Sequence, residues 1–398
     1  MGTYSKVKCN QAPILNNPQL FIVMHKIILA RLKFIVILFT VIFFWGCNSN
    51  GKYNLKTIVS SEGLKRITFF NYSCMSDGLW TGAVVMAGTL KNGITFQKSW
   101  GYLSIEKKVK MSRNAIFDLA SLTKTVATAT ALSICMDRGL FYISAPFNQY
   151  LPEYRGTLME KITVLDLVRH LSGFDNSKPY IEDGKVVENL LNHSPVRKVG
   201  KYKYACCNYI FLGLIVEKIT NESLDQFCQT NIFTPLEMKD TRWSPLIKPD
   251  KQLVVKSIFT PELGIVSDEP ARAAKRPIGN AGLFSTAEDL SKYCLMILNN
   301  GRYKGKSILS EKAIKLLTTK PDLKSPVSFG WRIDSKYNPS LFSDITLSHT
   351  GFTGGSIWID IKKQKFIIIL TNRTGDHDMS QDARIRFAEI LLEEMKNN

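Results

Sequence analysis

With 398 residues, 45% of them hydrophobic and 22% charged, the chain is too apolar to be disordered and long enough for two domains or one large domain carrying an insertion. Its formal net charge of +18 raises the question of nucleic acid, but five of the basic residues (Lys6, Lys8, Lys26, Arg31, Lys33) lie in residues 1–46, which hold no acid. The remaining excess is scattered in short groups such as Lys107-Lys108 and Lys362-Lys363, the pattern of a solvated surface rather than a groove; it argues against a nucleic-acid partner and at most suits anionic envelope polymers or lipid head groups.

From Met24 the chain reads as a basic start, then an apolar run Phe34–Trp45 interrupted only by Thr40, then Gly46-Cys47. That is the layout of a secretory signal, so Met24 is a better start than Met1 and residues 1–46 are assigned to the signal segment. Gly46-Cys47 resembles a bacterial lipobox, in which Cys47 would be acylated; Phe44 and Trp45 are unusual before it, and an uncleaved anchor helix is the alternative. Both readings place the rest of the chain outside the cytoplasm, as an envelope protein held on a membrane. Residues 47–65 are polar and suit a tether, leaving 66–398 as the folded domain. No Cys or His spacing suggests a zinc site, and Cys135 and Cys294 read as buried small hydrophobes.

Strand-like runs Gly82–Gly88 and Ile94–Gln97 flank Lys91-Asn92-Gly93, a hairpin signal. Apolar residues at helical spacing follow Ser121 up to Arg138, where Gly139 stops the helix. Residues 141–264 read as mainly helical, with an apolar helix at Tyr209–Ile219. Thr286 with Glu288 and Asp289 marks another helix start. The carboxyl-terminal third returns to strands, Ser356–Asp360 and Phe366–Leu370, and ends in a helix over Ser380–Met395. Strands at both ends with helices between predict an α+β fold: one antiparallel sheet from the two termini, flanked by helices, with an inserted helical subdomain at 141–264.

Ser121 and Lys124, in Ala120-Ser121-Leu122-Thr123-Lys124, are three apart and share a helix face. A serine hydroxyl becomes a useful nucleophile only if a neighbour takes its proton, and a lysine amine can do so only after losing its own. At a helix start the Ser121 N–H would also be free to face a developing oxyanion. Alone, Ser-x-x-Lys is a common pattern of ordinary helices. Two further segments accompany it: Tyr202-Lys203-Tyr204-Ala205-Cys206-Cys207-Asn208 before the apolar helix, and Ser348-His349-Thr350-Gly351-Phe352-Thr353-Gly354-Gly355 leading into a strand.

The order Ser-x-x-Lys, Tyr before an apolar helix, and a basic residue with Thr-Gly on a late strand resembles the serine β-lactamase and penicillin-binding-protein superfamily. The chain is most similar to its class C β-lactamase-related branch, which includes D-alanyl peptidases and carboxylesterases, over about Gly82 to Phe387. The resemblance implies a β-lactamase/transpeptidase-like fold, Ser121 as nucleophile of an acyl-enzyme, and Lys124 with Tyr204 as the proton-handling pair. It also implies that His349, Thr350, Gly351 and Cys206 bind substrate, with the Phe352 N–H as second oxyanion donor. No cofactor or metal is implied.

Three positions depart from the family pattern. Cys206 stands where Asn is usual, which puts efficient β-lactam turnover in doubt. His349 replaces Lys, and its charge is expected to vary near neutral pH. Asn280 replaces a frequent His in Gly279-Asn280-Ala281-Gly282. His170 reads as an organiser of a helix end, and Cys206-Cys207 as tolerant substitutions. The expected activity is hydrolysis of a cell-wall-related D-amino-acid peptide or a small carboxylic ester by a monomer. The alternatives are a non-catalytic envelope protein holding peptidoglycan fragments in the same cleft, or a weak β-lactamase.

Overall fold

The computed structural model describes residues 59–396, except 158, 178, 244–252, 261, 322–323 and 334. The expected signal segment and Cys47 lie outside the described residues. Strands β1 (Trp80–Thr89) and β2 (Gly93–Gly101) form the expected hairpin, with Gly93 at φ 65° closing the turn. Short strands follow: β3 (Phe117–Asp118), β4 (Arg242–Trp243), β5 (Leu283–Ser285), and the small hairpin β6 (Arg302–Tyr303) and β7 (Lys306–Ser307). The last three are β8 (Thr346–Thr350), β9 (Gly355–Asp360) and β10 (Lys365–Arg373).

The main sheet runs β2-β1-β10-β9-β8 with every neighbour antiparallel, so its central pair joins the two ends of the described chain. Both faces of β1 are covered, which is why it reads as a continuous apolar run rather than an alternation. Val84 and Met86 face the larger core beneath the helix that follows Ser121; Ala83, Val85 and Ala87 face a second layer built from the terminal helices.

One of those terminal helices, Ser61–Ser76, overlaps the segment expected to be tether up to Lys65. Ser60 caps it by accepting from the Gly63 N–H at 2.9 Å, and Ile67, Asn71 and Cys74 recur on its buried face. Only one of those three is a large aliphatic, so the helical period was hidden among polar residues. It packs against the last helix, His377–Lys396, where Phe70 meets Phe387 edge-on at 5.7 Å.

On the other side of the sheet a helix over Thr130–Asp137, entered through a π-turn at Lys124–Ala129, packs with Cys207–Thr220, while Ala287–Leu298 lies directly on β1 and β10. Thr286 caps the last of these as expected, accepting from the Asp289 N–H at 3.1 Å. Between 141 and 264 the described residues form helices and turns, apart from β4, which pairs with β5. The six described cysteines are all free; Cys135 and Cys294 are fully buried, as expected of small hydrophobes.

Candidate active site

The Ser121 turn is fixed from below. Asp118 accepts the Ala120 N–H at 2.9 Å and the Ser267 N–H at 2.8 Å, and Ala120 takes a left-handed φ of 45° that few residues with a Cβ adopt. This bend throws the chain into a tight turn closed by Lys124 N–H to Ser121 carbonyl at 3.0 Å. The π-turn that follows is tied to the 279–283 stretch: Thr128 donates to the Gly279 carbonyl at 2.7 Å and Thr123 accepts the Leu283 N–H at 3.1 Å. A Cβ on Gly279 would lie 2.0 Å from the Tyr209 carbonyl, so only glycine lets these segments meet.

Lys124 is wholly buried and donates to Ser121 Oγ at 2.9 Å and to the Asn280 carbonyl at 2.7 Å; its Nζ lies 3.7 Å from Cys206 Sγ. The Tyr204 hydroxyl donates to the same Ser121 Oγ at 2.8 Å. Two segments 80 or more residues apart in sequence thus bring an amine and a phenol onto one hydroxyl.

Burial works against charge on Lys124, but Cys206, Tyr204 and Asp268 outweigh it and hold the amine above the usual lysine range. The amine thus favours its protonated form, most of all beside an ionised Tyr204, whereas a lysine base must be neutral. Burial also raises Tyr204, and the ammonium offsets this only in part, so the resting group is a phenol.

His170 lies beneath Tyr204, ring centres 4.6 Å apart. Its Nδ1 faces the Ala205 N–H at 3.2 Å and the Asn208 amide at 3.0 Å, which makes Nδ1 an acceptor and places the proton on Nε2. Burial and then Lys124 push its pKa well below the ordinary value. It is a neutral strut for the Tyr204 loop.

His349 corrects an expectation. Burial, followed by the charges of Lys124 and Arg332, pushes its pKa down to about 3, so it stays neutral across the physiological range instead of varying there. Its Nδ1 lies 2.9 Å from the Thr350 carbonyl, a contact that requires the proton on Nδ1 and leaves Nε2 as an acceptor.

The Thr350-Gly351-Phe352 turn presses against β3 and the residues that lead from it to Ser121. Thr353 Oγ1 donates to the Asp118 carbonyl at 2.6 Å, and a Cβ on Gly351 would come 2.4 Å from the Leu119 carbonyl. Arg373 Nε holds the Phe352 carbonyl at 2.7 Å. Among the described residues, neither the Ser121 N–H nor the Phe352 N–H meets an intramolecular acceptor.

Ser121, Tyr204, Cys206, His349, Thr350 and Phe352 all line one cleft of about 800 Å³. Three contributors were missed in the sequence. Arg332 stands beside β8, exchanging both backbone hydrogen bonds with Ser348, and stacks on Tyr337 at 3.8 Å; its buried Nε has no partner. The available signal was an arginine set in the apolar run Phe329-Gly330-Trp331-Arg332-Ile333. Asn176 accepts the Cys206 N–H at 3.0 Å, which brings a side-chain amide to the place of the departed asparagine. Asn280, unexplained from sequence, donates to Asp268 at 3.0 Å while its carbonyl holds Lys124.

A mixed fold with this antiparallel sheet and this cleft defines the β-lactamase and penicillin-binding-protein class. The chain belongs to the Beta-lactamase family, whose sequence profile matches residues 74–391, and it is a hydrolase of that family. It is 28% identical over 331 residues to a Salmonella gallinarum protein named as a D-alanyl-D-alanine carboxypeptidase, covering 71% of this chain and 76% of that one. The octameric penicillin-binding protein homologue from Pyrococcus abyssi superposes with a TM-score of 0.67 at 20% identity, covering 83% of this chain and 77% of that one. EstCE1, a hydrolase with promiscuous acyltransferase activity, superposes with a TM-score of 0.68 at 20% identity, covering 82% and 98%.

Proposed function

We propose that the protein is a serine hydrolase that removes a carboxyl-terminal D-amino acid from peptides of the cell-wall type through an acyl-enzyme on Ser121. The observation that carries the reading is the double contact of Ser121 Oγ with Lys124 Nζ at 2.9 Å and the Tyr204 hydroxyl at 2.8 Å, at the edge of an open cleft. Reaction requires Tyr204 to change from donor to acceptor, so the active form is the minor phenolate state, which the neighbouring ammonium favours. Ser121 then yields its proton to Tyr204 and bonds to the carbonyl carbon; the C–N bond breaks and the proton passes to the leaving amine. Water, deprotonated by the same phenolate, then attacks the resulting ester; the bond from the acyl carbon to Ser121 Oγ breaks, and the phenol returns its proton to Ser121. The N–H groups of Ser121 and Phe352 are the proposed donors to the oxyanion.

Arg332 favours a peptide over a neutral ester, because its guanidinium offers a cleft-side partner for a free carboxylate. Neutral His349 adds an acceptor, and Asn176 adds the amide that Cys206 lacks. Release of D-alanine from a diacylated Lys-D-Ala-D-Ala tripeptide tests the reading. Release should fall at least ~10³-fold in Ser121→Ala, and a fluorophosphonate probe should label Ser121. Probe labelling without D-alanine release would point to esters; neither labelling nor release would leave a fragment-binding protein. Export and acylation at Cys47 belong to the same proposal, and loss of labelled palmitate from a Cys47→Ala variant in cells checks them.

A further inference from the structure

The outer face of the main sheet holds two guanidinium groups that take no part in the proposed chemistry. Arg384 is fully buried on the face of the last helix that also carries Ser380, Phe387, Ala388 and Leu391. Its Nε donates to Ser356 Oγ on β9 at 2.8 Å, while Nη1 and Nη2 are buried and meet no acceptor. Arg373, at the end of β10, gives Nε to the Phe352 carbonyl and Nη1 to the Gly375 carbonyl at 2.8 Å, and its Nη2 is likewise buried without an acceptor.

The two arginines share one corner. A Cβ on Gly354 would lie 3.1 Å from Arg373 Cβ, and Gly354 is two residues before the serine that holds Arg384. All the hydrogen-bond partners of both guanidiniums are neutral. Asp376, the acid that acts on Arg373, is exposed and directs Oδ1 to the Asp378 and Met379 amides at 2.9 Å. Burial first, and Arg373 second, push Arg384 down to about 9, which still leaves it a cation at neutral pH. Among the described residues, three donor nitrogens of these two buried cations find no acceptor and no carboxylate bonds either guanidinium, although the Phe259 and Phe352 rings stack on Arg373; such an arrangement is expensive and normally relieved by pairing.

We infer that this corner is a binding site for a small monovalent inorganic anion of the chloride type, held against the Arg384 Nη atoms beside Arg373. Arg384 is fully buried with both Nη atoms shielded from solvent, which suits a monatomic ion better than an organic carboxylate. Because Arg373 also grips the Phe352 carbonyl, the ion would brace the turn that borders the cleft. The site does not depend on the reaction assigned to Ser121.

Crystals of the protein soaked in sodium bromide, measured at the bromine edge, test this directly. An anomalous peak in contact with the Arg384 Nη atoms is expected; an ordered water there, or nothing, overturns the inference. Thermal melting at constant ionic strength, with chloride replacing gluconate from 0 to ~200 mM, should rise by about 3 °C. That rise should vanish in Arg384→Met. A bromide peak accompanied by a melting temperature blind to chloride would be an adventitious ion only, and would equally overturn it.

Discussion

Ser121 Oγ accepts from an ammonium and from a phenol at once, so the resting site is poised but not yet basic. Activity should therefore follow the appearance of the Tyr204 phenolate, whose pKa is raised. We expect kcat/KM to climb steadily from pH 6 to 9 with no step near 6.5; a bell with a limb at that pH would instead make a histidine essential. Tyr204→Phe should remove the climb and cost about 10²–10⁴-fold in rate.

His349 supplies a stability prediction of definite sign. Its folded pKa of about 3 lies below the ordinary 6.5, so between those values the unfolded chain binds the proton and the folded one does not. Stability is full above pH 6.5 and is lost as pH falls, by up to about 1.4 kcal/mol per pH unit for this group. Urea unfolding at pH 7 and 4.5 should show that slope, and His349→Gln should flatten it; an equal slope in the variant would place the acid sensitivity elsewhere.

At the scale of elements, the site is made by a turn, a loop and a strand end pressed together. Gly351 is a tight point of this joint, since a Cβ there would lie 2.4 Å from the Leu119 carbonyl, which is backbone and cannot swing aside. Gly351→Ala should separate the Phe352 turn from the residues that lead to Ser121 and lower kcat by about 10²-fold. The circular dichroism should stay unchanged; loss of helix signal would mean that the glycine is needed for folding instead. The strands and caps at this scale were legible, because Asn92-Gly93 and Thr286 act on their immediate neighbours. The helix at Ser61–Ser76 was not: its buried face includes an asparagine and a cysteine, and only contact with the last helix makes that face a core surface.

For the whole molecule, the joint between the two ends of the described chain governs stability. Phe387 is fully buried and touches Phe70 and Trp100, whereas Arg66, which pairs with Glu393 and Glu394, is 47% exposed. Phe387→Ala should cost about 3–5 kcal/mol, and Arg66→Ala no more than about 1 kcal/mol. Denaturant midpoints of the two variants would compare them, and parity would mean that the ion pairs matter more than their exposure allows.

The residues alone determined the fold class and the sheet drawn from both ends, and they nominated Ser121, Lys124 and Tyr204 as candidates, because local periodicity and motif order are written along the chain. Tertiary structure decided the charges on that trio, the neutrality of His349, the arrival of Arg332 and Asn176 in the cleft, and the unpaired arginines behind the sheet. Those depend on which distant groups share a low-dielectric space, and burial is a property of the folded whole.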